Sequence, residues 1–276
     1  MELITVIFIL ALAGIGVGFA EGLLGVGGCF IMVPVTFFVF STMGFSPDIA
    51  IKLAFGSNLL VVFPTAISGA LAHTKKEAVW WKAGMVLGIC GAIGALIGAT
   101  ITSRFLSEGI LKLAFGLVIG LGAIRMLAWK PPKDEEDPKD NPLTWACLGF
   151  PIGIISGMIG IGGGIIAVPV LAMALKFEMR RAIGTSLVMM AFTSIAGSMG
   201  YLTNGLSVPN LPPFSIGYVN LLVWACLAMT SIPVALIGAR TAHKLPVTQL
   251  RYIFIAVMFY VTLKMMGVFE WLGLPI

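Results

Sequence analysis

The stretch GLLGVGGCFIMVP, Gly22–Pro34, returns once in the chain as GMIGIGGGIIAVP, Gly157–Pro169. Each copy lies inside a long apolar run. A cluster of glycines there interrupts a helix and bares backbone N–H groups where no water can satisfy them. In lipid such a break is tolerated only where protein buries it or where it lines a cavity. Two such breaks at matching places in two halves are the sequence pattern that points to a transporter's binding site.

Around these stretches the chain has 276 residues, 59% of them hydrophobic and 11% charged, with a mean hydropathy of +1.05. A soluble domain carries about 25% charged residues, so this is the composition of an integral membrane protein. The apolar runs are continuous and do not alternate, which predicts helices and not a transmembrane barrel. The net charge of +5 comes from scattered lysines and arginines without an aromatic-basic stripe, which argues against a nucleic-acid surface. The start, Met1-Glu2, has no basic n-region, so the first apolar segment reads as a retained helix and not as a signal peptide. Cys29, Cys90, Cys147 and Cys226 all fall in apolar segments without CxxC pairing and read as small buried hydrophobes. No metal site and no cofactor is expected.

Helices are expected over roughly 49–72, 79–102 and 109–129, each near the ~20 apolar residues a membrane crossing needs. The stretch KPPKDEEDPKDNP, 130–142, is the obvious linker, since its prolines and charges neither continue a helix nor enter lipid. Residues 1–129 and 143–276 then form two membrane repeats. In the second, the run 143–175 is broken at Gly160–Gly164. Helices are expected over 180–203, 218–239 (with Pro233 as a kink) and 247–272, and 204–217 reads as a loop. His73 and His243 fall in basic stretches and are expected to be solvated.

The repeat can be followed position by position. At a spacing of 135, Gly18, Gly22, Gly25, Gly27, Gly28 and Pro34 fall on Gly153, Gly157, Gly160, Gly162, Gly163 and Pro169. At 128, Ala54, Gly56, Ser57, Asn58, Leu59 and Gly69 fall on Ala182, Gly184, Thr185, Ser186, Leu187 and Gly197. At 140, the run Ala95-Leu-Ile-Gly-Ala returns at Ala235.

Basic residues favour the cytoplasmic side. If each broken run crosses once, the halves are parallel and the 17 lysines and arginines divide 9 inside and 8 outside. If each broken run turns back on itself, the halves are inverted and the same 17 divide 13 inside and 4 outside, the four being Lys52, Arg104, Lys112 and Lys264. The bias selects the second arrangement: an all-α integral membrane protein of two inverted homologous repeats, each a glycine-broken helical hairpin plus three transmembrane helices. The linker is then cytoplasmic and both termini lie outside.

A helix that starts after a glycine run offers free N–H groups and the positive end of its dipole, an anion site made without a charged side chain. The candidate substrate-binding residues are therefore Gly27, Gly28 and Cys29 in the first half and Gly162, Gly163 and Gly164 in the second. Close helix packing is the competing use of the same glycines. Ser57-Asn58 and Thr185-Ser186, one helix later in each half, are candidate side-chain donors, unless their hydroxyls bond back to their own helix. Glu21 is the one acid deep in an apolar run and the candidate proton carrier; Ser156 stands in its place in the second half.

These motifs resemble the TauE/SafE family of sulfite and organosulfonate exporters, the sulfur-uptake permease family. The resemblance rests on GxxGxGGxxxxVP in both halves, on the GSN and GTS triplets that follow, and on the two similar halves, and it covers nearly the whole chain. It implies a secondary transporter in the bacterial inner (plasma) membrane that moves a small sulfur-containing anion, such as sulfite or sulfoacetate, by alternating access, rather than an enzyme. An anion channel or a permease for small carboxylates on the same scaffold is the alternative. The expected partners are the small anion, the lipid bilayer and protons, with self-association into a homo-oligomer left open. Cys29 stands where the second half has Gly164, and Asn58 where it has Ser186; there the substrate is expected to be tuned. A serine protease using Ser57 or Ser186 is set aside because neither histidine is expected on a helix.

Overall fold

The structure, a computed structural model, describes residues 3–128 and 140–268. Ten helices appear among these residues. In the first half they are α1 (Leu3–Leu24), α2 (Cys29–Thr42), α3 (Pro47–Thr74), α4 (Trp81–Phe105) and α5 (Glu108–Ala128). The second half holds α6 (Pro142–Ile159), α7 (Gly164–Met173), α8 (Met179–Gly205), α9 (Leu221–Ala242) and α10 (Val247–Met265). The linker expected at 130–142 lies outside the described residues up to 139, and so does the end of the last expected helix.

Helix starts follow local chemistry. Pro47 occupies the first turn of α3 with Asp48 beside it, where the dipole favours an acid. The Asn141 side chain accepts from Leu143 N at 3.0 Å and opens α6. Asn220 does the same for α9, accepting from Val223 N at 3.0 Å. The stretch read as a plain loop, 204–217, holds the end of α8 and part of a short antiparallel hairpin, β1 (Ser215–Ile216) with β2 (Val219–Asn220). Its second strand delivers Asn220 to the cap of α9.

Seven of the described helices are long and apolar enough to cross a membrane: α1, α3, α4, α5, α6, α8 and α9. Helices α2 and α7, with 14 and 10 residues, are too short, at about 1.5 Å per residue, to cross a hydrocarbon core of about 30 Å. Helix α10, with Gln249, Arg251 and Lys264 along it, is not among the seven and packs against α5. The surface is apolar: Leu12, Leu121 and Met229 are all more than half exposed. The interior is where the polar side chains lie, with Glu21, Asn58, Ser57, His73, Ser156, Thr185 and Ser186 all at 0% exposure. In water that distribution would be backwards; in lipid it is the stable one.

The first helix of each half packs on the other half. A Cβ on Gly14, Gly18 or Gly22 of α1 would run into the backbone of Leu227, Ser231 or Ala235 of α9. A Cβ on Gly149, Gly153 or Gly157 of α6 would run into that of Leu87, Gly91 or Ala95 of α4. Both lists advance by one helical turn at a time, so each pair runs parallel with backbones in direct contact, the small-residue packing of membrane helices. Partners in the two lists differ by the repeat's own spacings, 135 and 140. Equivalent surfaces thus contact equivalent surfaces.

Two expectations are corrected here. His73 is not in a solvated loop: α3 runs on to Thr74 and carries His73 into the interior at 0% exposure, because the helical face of Gly69 and Ala70 recurs at 73. Of the four cysteines only Cys29 is buried; Cys147 is exposed and the others are intermediate, since the outer faces of apolar helices meet lipid and need no burial.

Candidate functional site

Helix α1 ends with Gly25 N donating to Glu21 O at 2.8 Å, and α2 begins with Ile31 N and Met32 N donating to Gly28 O. Between them the chain reverses. A Cβ at Gly28 would lie 2.7 Å from Val17 Cγ1, and Ile31 reaches back to Gly16, so α2 folds back along α1. Gly28 has φ +54 and Gly163 has φ +98, backbone that L side chains adopt only with strain. In the second half Ile166 N and Ala167 N donate to Gly163 O. The N–H groups of Cys29 and Phe30, and of Gly164 and Ile165, precede these first intrahelical bonds, as the earliest donors of any helix do.

The two breaks meet each other. Cys29 Sγ lies 3.3 Å from Ile161 O, across the break of the other half. A Cβ on Gly164 would strike Gly25 O and lie 2.7 Å from Val26 Cα. Val62 and Met190, which are 128 apart, both sit against Gly27 and Gly162. Every residue from 21 to 30 and from 159 to 165 is buried. The candidate residues Gly27, Gly28, Cys29, Gly162, Gly163 and Gly164 are therefore brought together at one crossing. Where the crossing is tightest only one of two equivalent positions has room for a side chain, which accounts for Cys29 opposite Gly164.

The hydroxyl candidates divide. Ser186 Oγ lies 3.0 Å from Gly25 O and 2.8 Å from Ile183 O, at the edge of the first break. Asn58 Nδ2 reaches Thr36 Oγ1 of α2 at 3.4 Å, while its Oδ1 is buried without a partner. Ser57 and Thr185 are turned elsewhere: Ser57 Oγ accepts from Asn220 N at 2.9 Å, and Thr185 Oγ1 from Trp80 N at 3.0 Å. Asn220 and Trp80 are the residues that begin α9 and α4, so this symmetric pair pins the helices on which α1 and α6 pack. Neither serine meets a histidine, so the protease reading gains nothing from the burial of His73.

Glu21 is buried with both carboxyl oxygens unpartnered, and Ser156 Oγ is buried and unpartnered in the equivalent place. A Cβ on Gly163 would lie 3.5 Å from Ser156 Oγ, so Ser156 faces the start of α7. A buried carboxyl with no donor is costly when ionised, and a proton on either oxygen removes the charge that the surroundings leave unpaired.

Sequence reasoning missed the groups that close the first limbs. His73 Nε2 is 2.9 Å from Gly22 O, and Tyr201 OH donates to Gly157 O at 3.0 Å. His73 Nδ1 is in turn 3.0 Å from His243 Nε2. The signal was present: 73 and 201 differ by 128, as the rest of that block does. Among the described residues no three of His, Cys, Asp and Glu gather to hold a metal.

The model of the sulfite exporter TauE/SafE family matches residues 10–265. A probable membrane transporter protein of Methanocaldococcus jannaschii is 31% identical, over 97% of this chain and 96% of its own length. One of Haemophilus influenzae is 29% identical over 95% and 98%, and the Bacillus subtilis protein YunE, also named a probable membrane transporter, is 28% identical over 71% and 78%. No solved structure matches significantly. With its apolar helices, its broken hairpins and this match over nearly its whole length, the chain is a multi-pass membrane transporter protein that belongs to the sulfite exporter TauE/SafE family.

Proposed function

We propose that this transporter carries a small sulfur-containing anion, sulfite or an organosulfonate such as sulfoacetate, across the bacterial plasma membrane by alternating access. The observation that carries the reading is the crossing of the two breaks, where the starts of α2 and α7 lie side by side. Each helix N-terminus is worth about 0.3–2 kcal/mol to an anion, so two of them, without a fixed cation, bind weakly enough for release. Asn58, whose Nδ2 keeps a second hydrogen beside the one given to Thr36, borders this crossing and adds a candidate donor; Ser186 borders it too, but gives its one hydrogen to the carbonyls of Gly25 and Ile183 and would have to turn from them to serve an anion. Glu21, unpartnered beside the first break, is the proton carrier that couples the anion's movement to a proton gradient.

Alternating access follows from inverted halves that rock on one another. The fold-back of α2 along α1, the reciprocal packing of α1 on α9 and α6 on α4, and the bias of lysine and arginine support that inversion and the division into repeats 1–129 and 143–276. A cysteine introduced at Asp137, in the linker, should be labelled only from the cytoplasm. Labelling from outside overturns the inverted arrangement.

The substrate is tested by thermal shift of the purified protein against sulfite, sulfate, thiosulfate, sulfoacetate, taurine and plain carboxylates, since a ligand of the folded state raises its stability. Stabilisation by sulfite or a sulfonate, lost in a folded Gly163→Leu variant, is the expected result. Indifference of well-folded protein to every anion returns the glycines to a packing role.

A further inference from the structure

Each half must satisfy a carbonyl left over where its first limb ends. The second half uses a phenol, Tyr201, on Gly157 O; the first uses an imidazole, His73, on Gly22 O. Both bonds have the same length within 0.1 Å, and the four residues are related by the repeat. The two caps differ in one chemical respect. A phenol keeps its proton across the physiological range, and an imidazole does not.

The imidazole is also part of a pair. The rings of His73 and His243 are 4.9 Å apart between centroids, and His73 Nδ1 faces His243 Nε2 at 3.0 Å. Because His73 Nε2 must carry its hydrogen to bond Gly22 O, its Nδ1 is the acceptor and His243 Nε2–H the donor. Such a pair accepts one further proton and keeps its bond. A second would set two N–H groups against each other. His73 is fully buried and His243, just beyond α9, is half-buried, so the pair runs from the protein surface to the first break, at the residue after Glu21.

The charges that act on it are Arg180 and Glu178 at the start of α8 and Lys76 in the turn after α3; Arg240 and Lys244 are exposed neighbours of His243 in the chain, and Glu21 precedes Gly22 on α1. Burial, reinforced by Arg180 and Lys76 and only partly offset by Glu178, holds His243 below the usual imidazole range. This packed arrangement therefore favours the neutral form of His243.

We propose that His73 and His243 form a proton-binding site of the transport cycle, which takes one proton when the ends of α3 and α9 part and water reaches the rings. Hydration restores the imidazole's affinity for a proton, so acid on that side favours opening there by simple linkage. The site rests on the proton-coupled reading given above and adds to it a gate whose state the proton reads.

The test follows opening without substrate. Leu245, whose carbonyl accepts from Arg180 Nη2 at 3.2 Å, lies at this end and is half-buried. A Leu245→Cys variant, its labelling quantified at that site and divided by the rate of a free cysteine thiol at the same pH to remove the loss of thiolate, should react about fivefold faster on that scale as pH falls from about 8 to about 5.5. His73→Gln keeps an N–H within reach of Gly22 O and binds no proton, and with it the acceleration should disappear. His243→Gln, nearer the surface, gives the same reading should His73→Gln fail to fold. Acceleration that persists in both glutamine variants, or that is missing from the native sequence, overturns the site. Proton-driven uptake of sulfoacetate into proteoliposomes is measured alongside. Uptake indifferent to the gradient, with labelling still accelerated by acid, overturns the coupled reading itself and with it the pair's place in the cycle.

Discussion

Around the first glycine break stand Glu21, His73 and Cys29; around the second, the same three places hold Ser156, Tyr201 and Gly164. The backbone does the same thing in both. Each limb ends at a glycine, turns through left-handed glycines, starts a short helix five residues before a proline, and has its spare carbonyl capped by a side chain from the third helix of its half. The side chains do not do the same thing. The first set holds a carboxyl, an imidazole and a thiol, and the second a hydroxyl, a phenol and a bare glycine. The two breaks thus share one backbone arrangement and differ in the side chains set around it.

The largest expected effect tests whether the scaffolds are as unequal sterically as they are chemically. At Gly28 an added Cβ would lie 2.7 Å from Val17 Cγ1 and 2.9 Å from Val17 O, whereas at Gly163 its nearest neighbour is Ser156 Oγ at 3.5 Å. Gly163→Ala bears backbone strain alone, about 1–3 kcal/mol. Gly28→Ala adds overpacking of about 1–3 kcal/mol and should abolish folded, active protein. Equal losses of thermal stability in the two variants would show that the crossing is no tighter on the first side.

Next come the residues inside the breaks. Glu21→Gln should remove the response of transport to a pH gradient, and Ser156→Ala should leave it in place, both measured in proteoliposomes. A gradient response that survives Glu21→Gln ends the case for that carboxyl, and one lost in Ser156→Ala would mean that both breaks take part.

A smaller effect concerns stability against pH. His243 has its proton affinity lowered in the folded state, so the unfolded chain binds that proton more readily. The stability this contributes is full above about pH 6.5, the unfolded value, and is lost progressively as pH falls from there through the lowered native one. Thermal melts of His243→Gln should therefore show a shallower acid limb than the native protein and the same stability ranking above pH 7. The smallest change is Tyr201→Phe, which removes the hydroxyl from Gly157 O. It should cost about 1 kcal/mol and leave the pH profile of transport untouched, in contrast to any change at His73.

Much of this was legible in the sequence because glycine and proline leave marks that side-chain chemistry does not blur. The breaks, the two halves and the equivalence of Gly56-Ser57-Asn58 with Gly184-Thr185-Ser186 all come from counting. Equivalence, however, is not adjacency. Nothing in the spacing of Ser57 says that its hydroxyl receives Asn220 N, or that Thr185 receives Trp80 N, since those partners are set by how the halves pack. His73 was hidden by the run Thr74-Lys75-Lys76-Glu77 that follows it, which reads as a wet loop and masks the last turn of a buried helix face. The exchange of Cys29 for Gly164 reads in sequence as a difference in chemistry; in the fold it is a matter of room at the point where two chains cross.

The packing of α1 on α9 also bears on how the protein is made. Helix α1 leaves the ribosome long before α9, the helix that covers its glycine face. At about 5–20 residues per second, some 200 residues of synthesis separate the two by roughly 10–40 s. For that interval the face of Gly14, Gly18 and Gly22 has only lipid or the insertion machinery against it, and Glu21 has no finished interior around it. The amino-terminal half is therefore not an independently completed unit waiting for a second copy. Its assembly waits on α9, and a chain released before α9 should be a substrate for membrane quality control and not half of a transporter.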